Sequence, residues 1–82
     1  MSAREMFEKL GYKYKYLPNS HRIEFFKDKD EEMHFVYNEI IFNKKFKTIK
    51  IKGYFDLEEL QAINQQTKEL GWLDERWNKR KL

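Results

Sequence analysis

Cysteine is absent from this chain, which removes a disulfide framework, a thiolate zinc centre and a thiol nucleophile together. Proline occurs once and glycine three times, too few for a low-complexity linker, so the 82 residues read as one hydrophobic core and not two. No apolar run approaches the roughly 20 residues of a membrane helix. The charged start Met1-Ser2-Ala3-Arg4-Glu5 also lacks the apolar stretch of a secretory leader. These absences predict a cytoplasmic protein with no membrane partner. Histidine is scarce as well: His21 and His34 match no metal-ligand spacing and read as strand-surface residues. Asp28, Asp30, Glu32 and Glu39 fall at calcium-loop spacing, but Met33 stands where that loop needs glycine, and the flanks read as strands. With no glycine-rich phosphate loop and no Ser-His-Asp order, the sequence predicts a non-enzyme with no cofactor and no metal.

Aromatic residues are plentiful: seven Phe, five Tyr and two Trp supply a core despite a charged fraction of 38%, which argues against disorder. Ser2 followed by Glu5 forms a capping box, Met6, Phe7 and Leu10 share a helical stripe, and Gly11 with Tyr12 ends that helix. The same grammar recurs near the C-terminus. Asp56 and Glu59 cap a second helix whose buried stripe is predicted as Leu57, Leu60, Ile63, Thr67 and Leu70, with Phe55 as staple on Leu60 and Gly71-Trp72 as the stop.

Between the helices the apolar period changes from that of a helix to that of a strand. Tyr12, Tyr14 and Tyr16 alternate with lysines, Pro18-Asn19-Ser20 makes a turn, and Arg22 to Lys27 returns as the second arm of a hairpin. Asp28 to Glu32 reads as an acidic turn leading into a strand from Met33 to Asn43. In that strand a shift of apolar parity near Asn38-Glu39 predicts a bulge or a break. The last run, Phe46 to Lys52, sets Ile49 and Ile51 on one face and Thr48, Lys50 and Lys52 on the other. The predicted fold is therefore α+β in the order α-β-β-β-β-α. It is an antiparallel meander of three to four strands, with the N-terminal and C-terminal helices packed on one face over Ile49 and Ile51. Residues 1–73 form the domain and 74–82 a basic C-terminal tail.

Charge comes in blocks. Residues 44–53 carry five basic and no acidic groups, and residues 76–82 carry four basic and none acidic, within a net charge of only +3. Two surfaces follow as candidates. The first is a protein-binding surface of exposed aromatics and helix amides: Tyr14, Tyr16, Gln61, Asn64, Gln65 and Trp77. The second is a nucleic-acid surface of Lys44, Lys45, Lys47, Lys50, Lys52, Arg80 and Lys81, with Tyr14, Tyr16 or Phe46 to stack unpaired bases. Edge lysines that simply prevent strand-to-strand aggregation, and a terminus in which Trp77 docks while its lysines stay solvated, account for the same letters.

The stretch from Leu57 to Leu73, with its Ala62-Ile63-Asn64-Gln65-Gln66 core closing on Glu69-Leu70-Gly71-Trp72, resembles the ending of small proteins encoded by phages and prophages of Gram-positive bacteria. Phe7-Glu8-Lys9-Leu10-Gly11-Tyr12 is similar to their opening. The resemblance covers both ends and leaves the sheet loosely matched, and the residues after Leu73 run beyond the family pattern. It implies a host-cell cytoplasmic location and an accessory role, and it carries no catalytic residue or cofactor. Taken with the composition, it predicts a non-enzymatic domain that binds a host or phage protein, with nucleic-acid binding as the alternative.

Overall fold

A computed structural model describes residues 1–31 and 34–72, apart from the side chains of 29–31 and 34–36. The chain runs α1 (Ala3–Lys9), β1 (Lys13–Leu17), a 3-10 turn (Pro18–Ser20), β2 (Arg22–Glu31), β3 (His34–Asn43), β4 (Thr48–Lys52) and α2 (Leu57–Glu69). Both capping boxes form: Ser2 with Glu5, and Asp56 with Glu59, each side chain accepting from the other residue's backbone N–H. Both helices end in a Schellman motif. The Tyr12 N–H donates to the Phe7 carbonyl and the Trp72 N–H to the Thr67 carbonyl, each at 3.0 Å, so the glycine stops predicted at positions 11 and 71 are observed.

The four strands form one antiparallel sheet in the order β1-β2-β3-β4, a meander in which every strand pairs with its neighbour in the chain. Register places Phe25 opposite Tyr14 and Ile40, and Phe42 opposite Ile23 and Ile49. Residues directly opposite share a face, so Tyr14, Ile23, Phe25, Ile40, Phe42, Ile49 and Ile51 all point to the side on which the helices pack. There Phe7 of α1 stacks on Phe25 at 4.0 Å between centroids and meets Tyr12 edge-on at 5.3 Å, while Ala62 and Ile63 of α2 complete the core with Ile40 and Phe42. This is the predicted α+β architecture with all four strands present.

Three local expectations are corrected. The acidic stretch after Lys27 is not a turn: β2 continues through Asp28 to Glu31, paired in register with β3 from Tyr37 to His34. The connection itself falls outside the described residues. No bulge interrupts β3, because Lys27, Phe26 and Phe25 face Asn38, Glu39 and Ile40 in unbroken sequence. The parity never slips; a polar residue, Asn38, occupies the core-facing position and is fully buried, while Tyr37 turns to the open face.

The third correction concerns the rotation of α2. Ile63 and Thr67 are buried and Leu70 packs at the core's margin, but Leu57 and Leu60 are 69% and 51% exposed, and Glu59, Ala62 and Gln66 are buried in their stead. Phe55 packs against the core cluster, so the apolar residue before the cap anchors inward while Leu60 looks out.

Candidate interaction surface

The rotation of α2 has a definite cause. Glu59, only 2% exposed, accepts from the Tyr12 hydroxyl and, at 3.0 Å, from the Asn38 side-chain amide. Its other oxygen accepts the Asp56 N–H at 3.0 Å. Asn38 also donates to the Tyr54 carbonyl at 2.6 Å and accepts the Tyr54 N–H at 3.0 Å. One buried amide thus ties β3 to the segment that enters α2, and one buried carboxylate ties α2 to β1's approach. A carboxylate this deep is stable only where donors converge on it. Turning α2 to bury Leu60 would withdraw Glu59 from all three.

Burial holds the Tyr12 phenol above the ordinary tyrosine range, with its hydrogen bond to Glu59 adding to the effect and that from Asn38 opposing it. Because the folded state binds this proton more tightly than the unfolded chain, the stabilisation is complete below pH about 10 and drains away as pH rises through the folded-state value. We expect Tyr12→Phe to cost about 2 kcal/mol near neutral pH, because the buried Glu59 carboxylate and the Asn38 amide each lose a hydrogen-bond partner. The gap from the parent chain should narrow above pH 10 in urea titrations at stepped pH.

The helices do not cover the sheet evenly. α1 lies on one flank of α2: the Ala3 N–H donates to Glu69 at 2.7 Å, and Met6, Lys9 and Leu10 share a cleft of about 270 Å³ with Glu58 and Gln61. Since α1 stacks on β2 and α2 is pinned to β3, the opposite flank of α2, carrying Leu60, overlooks β4. Ile49 and Ile51 point to that side, as predicted, yet they are 36% and 50% exposed. Strand register turns exposed Ile49 and Ile51 to the helix side of β4, and helical spacing turns exposed Leu60 of α2 toward β4, which defines an apolar strip between the two elements; Tyr54 and Leu57, at the start of α2, are exposed as well.

The basic residues divide between two places. Lys44, Lys45 and Lys47 sit on the β3–β4 turn, which is shaped by Asn43 accepting the Lys45 and Phe46 N–H groups at 3.0 Å each and by Lys47 in a left-handed conformation, φ 54°. Phe46 stands exposed at its tip under Lys45, whose Nζ lies 5.4 Å from the ring centroid. Lys44 donates to the Tyr16 hydroxyl at 3.2 Å, so Tyr16 joins this end of the sheet. Lys50 and Lys52 instead lie on the open face with Thr48, in register with Ile41 and Glu39. That face is basic along both outer strands, Lys13 and Lys15 on one side and Lys50 and Lys52 on the other, with Glu24, Phe26, Glu39 and Ile41 between them.

Of the predicted protein-binding residues, α2 brings Gln61, Asn64 and Gln65 together, while Tyr14 and Tyr16 lie apart from them on β1. Tyr14 is half-buried against Phe25 with the Arg4 guanidinium 4.2 Å above its ring. Gln61 and Asn64 are exposed on the outer side of α2, where Gln65 donates to Glu69 at 3.0 Å. Trp77, Arg80 and Lys81 lie outside the described residues. His21 is exposed and left-handed, φ 55°, at the end of the 3-10 turn, and no cluster of three metal-ligating side chains occurs among the described residues. The exposed Ile49, Ile51 and Leu60 were placed in the core by periodicity. The signal for their exposure was the buried acid at position 59, which fixes the helix's rotation. Comparison with known proteins finds no family model, no curated protein and no solved structure that matches this chain.

Proposed function

We propose that this chain is a non-enzymatic protein-binding domain that engages its partner through the strip between β4 and α2. The observation that carries the reading is the exposure of Ile49 and Ile51 on the helix side of β4 together with that of Leu60 on the flank of α2 turned toward them. Exposed apolar surface of this kind marks association sites, and the aliphatic groups there supply the anchors that a protein interface needs. The accessory role in a phage-infected or lysogenic cell suggested by the two helix ends is the setting of this proposal. No helix of the described residues is long and apolar enough to cross a membrane.

The test pairs Leu60→Glu with Ile51→Thr, which keep helix and strand propensity respectively at exposed positions. We expect circular dichroism and thermal midpoint to stay close to the parent, while a protein retained from lysate of the source cells by the parent chain loses at least tenfold in affinity for the double variant. Equal retention by both would remove the strip from the interaction.

A second reading is favoured by the turn at which Lys44, Lys45 and Lys47 surround exposed Phe46 and neighbour Tyr16. Such a site would stack an unpaired base and neutralise phosphates. With three phosphates contacted, single-strand affinity should fall about twentyfold between 50 and 200 mM salt. An oligonucleotide titration with no slope excludes this reading.

A further inference from the structure

β4 is an outer strand, hydrogen-bonded to β3 alone among the described residues. One row of its backbone N–H and C=O groups therefore faces outward and can template another strand. Two side-chain rows border that edge, and their chemistry differs. On the helix side stand Ile49 and Ile51, toward which helical spacing turns exposed Leu60 of α2; on the open side stand Thr48, Lys50 and Lys52.

We infer that the partner binds as an extended segment added alongside β4, with apolar and acidic residues in alternation. Its apolar side chains enter the strip between β4 and α2, and its acidic ones meet Lys50 and Lys52 on the open face. This rests on the protein-binding reading above and names the class of partner. A strand has the period of two that matches two bordering rows of unlike character, and its main chain satisfies the open row of β4. A helix laid in the strip would bury apolar area but leave that row unpaired. The acidic requirement comes from residues 44–53, which hold five basic and no acidic groups.

The same lysines argue against a second copy as the occupant. Two β4 strands side by side would bring the Lys50 and Lys52 rows of both chains together on one face, and like charges across a strand pair are destabilising. A nucleic acid would find the lysines but leave Ile49, Ile51 and Leu60 without a contact.

The experiment titrates the full chain with a capped eight-residue peptide of alternating valine and glutamate, followed by amide and methyl chemical shifts. A peptide alternating valine and lysine, and one with the valines and glutamates in two blocks, are the controls. We expect shifts confined to residues 48–52 and to the methyls of Ile49, Ile51 and Leu60, with the glutamate peptide preferred by about tenfold or more over either control. The double charge reversal Lys50→Glu and Lys52→Glu, both at exposed positions, should invert the preference toward the lysine peptide. Equal binding of both charged peptides overturns the inference, as do shifts elsewhere or no binding at millimolar peptide. So do shifts at residues 48–52 that respond to dilution of the protein alone, since these give the strip to a second copy. Binding that appears only after residues 73–82 are removed gives it to the chain's own C-terminal segment, and the inference then falls as well. If the peptide fails while Leu60→Glu with Ile51→Thr still loses the natural partner, the strand mode falls and the protein-binding reading stands.

Discussion

Replacing Gly53 with alanine is expected to cost about 4 kcal/mol, a large share of the stability of a domain this size. Gly53 has φ 114°, and a Cβ built there would lie 2.0 Å from Asn38 Oδ1 and 2.8 Å from the Tyr37 carbonyl oxygen. Two penalties combine. The backbone conformation itself strains any L-residue by roughly 1–3 kcal/mol. Relief of the clash also requires Asn38 to move, although Asn38 is fully buried and holds Tyr12, Tyr54 and Glu59 through hydrogen bonds. Each group it leaves unsatisfied adds roughly 1–3 kcal/mol. Thermal unfolding should show the midpoint falling by about 20 °C. A fall of only a few degrees would mean that Asn38 yields at little cost.

Asn38→Asp should be comparably damaging at neutral pH, for an electrostatic reason. The substitution preserves shape and keeps the acceptor for the Tyr54 N–H, but it replaces the Nδ2 donor with an oxygen facing the Tyr54 carbonyl and the Glu59 carboxylate, which now lie 2.6 and 3.0 Å from Nδ2. Two buried carboxylates at that separation cannot both remain ionised without a cost of about 3–5 kcal/mol. The pH dependence separates this cause from simple loss of packing. One carboxyl of the pair binds a proton more readily in the fold than in the unfolded chain, so the variant recovers stability as pH falls toward about 4. Urea midpoints measured from pH 7 down to pH 4 should converge for parent and Asn38→Asp. For Asn38→Ala, which has no second carboxyl, the gap should stay open.

These two positions also show where the sequence was readable. Capping boxes, glycine stops and the alternation of Tyr14, Ile23, Phe25, Ile40 and Phe42 depend on near neighbours in the chain, and each lies where local grammar puts it. The polar joint was illegible for the opposite reason. Asn38 on the core face reads as a break in apolar parity, and Glu59 reads only as a member of the capping box, because the partners that make them inexpensive to bury, Tyr12 and Tyr54 for Asn38 and Tyr12 for Glu59, are not signalled by local pattern. From that omission came the misplaced rotation of α2 and the burial wrongly expected of Leu60. The acidic run after Lys27 differs: its charge reads as a turn signal, whereas register with β3 keeps Asp28 to Glu31 in the strand. For the surface candidates, the lysines of the turn and strand were identified by charge alone, but whether they share a face depends on strand parity and hairpin geometry together, and the fold separates Lys44, Lys45 and Lys47 from Lys50 and Lys52.

The neighbour-to-neighbour strand order has a consequence for synthesis on the ribosome. Every hairpin of the sheet is complete once residue 52 has emerged, and such short-separation pairing forms early. Ile40 and Phe42 then wait bare until α2 arrives, a nascent state prone to sticking. Glu59 comes in the first turn of that helix, so the residues that join α2 to Tyr12 and Asn38 leave the ribosome ahead of the rest of the helix.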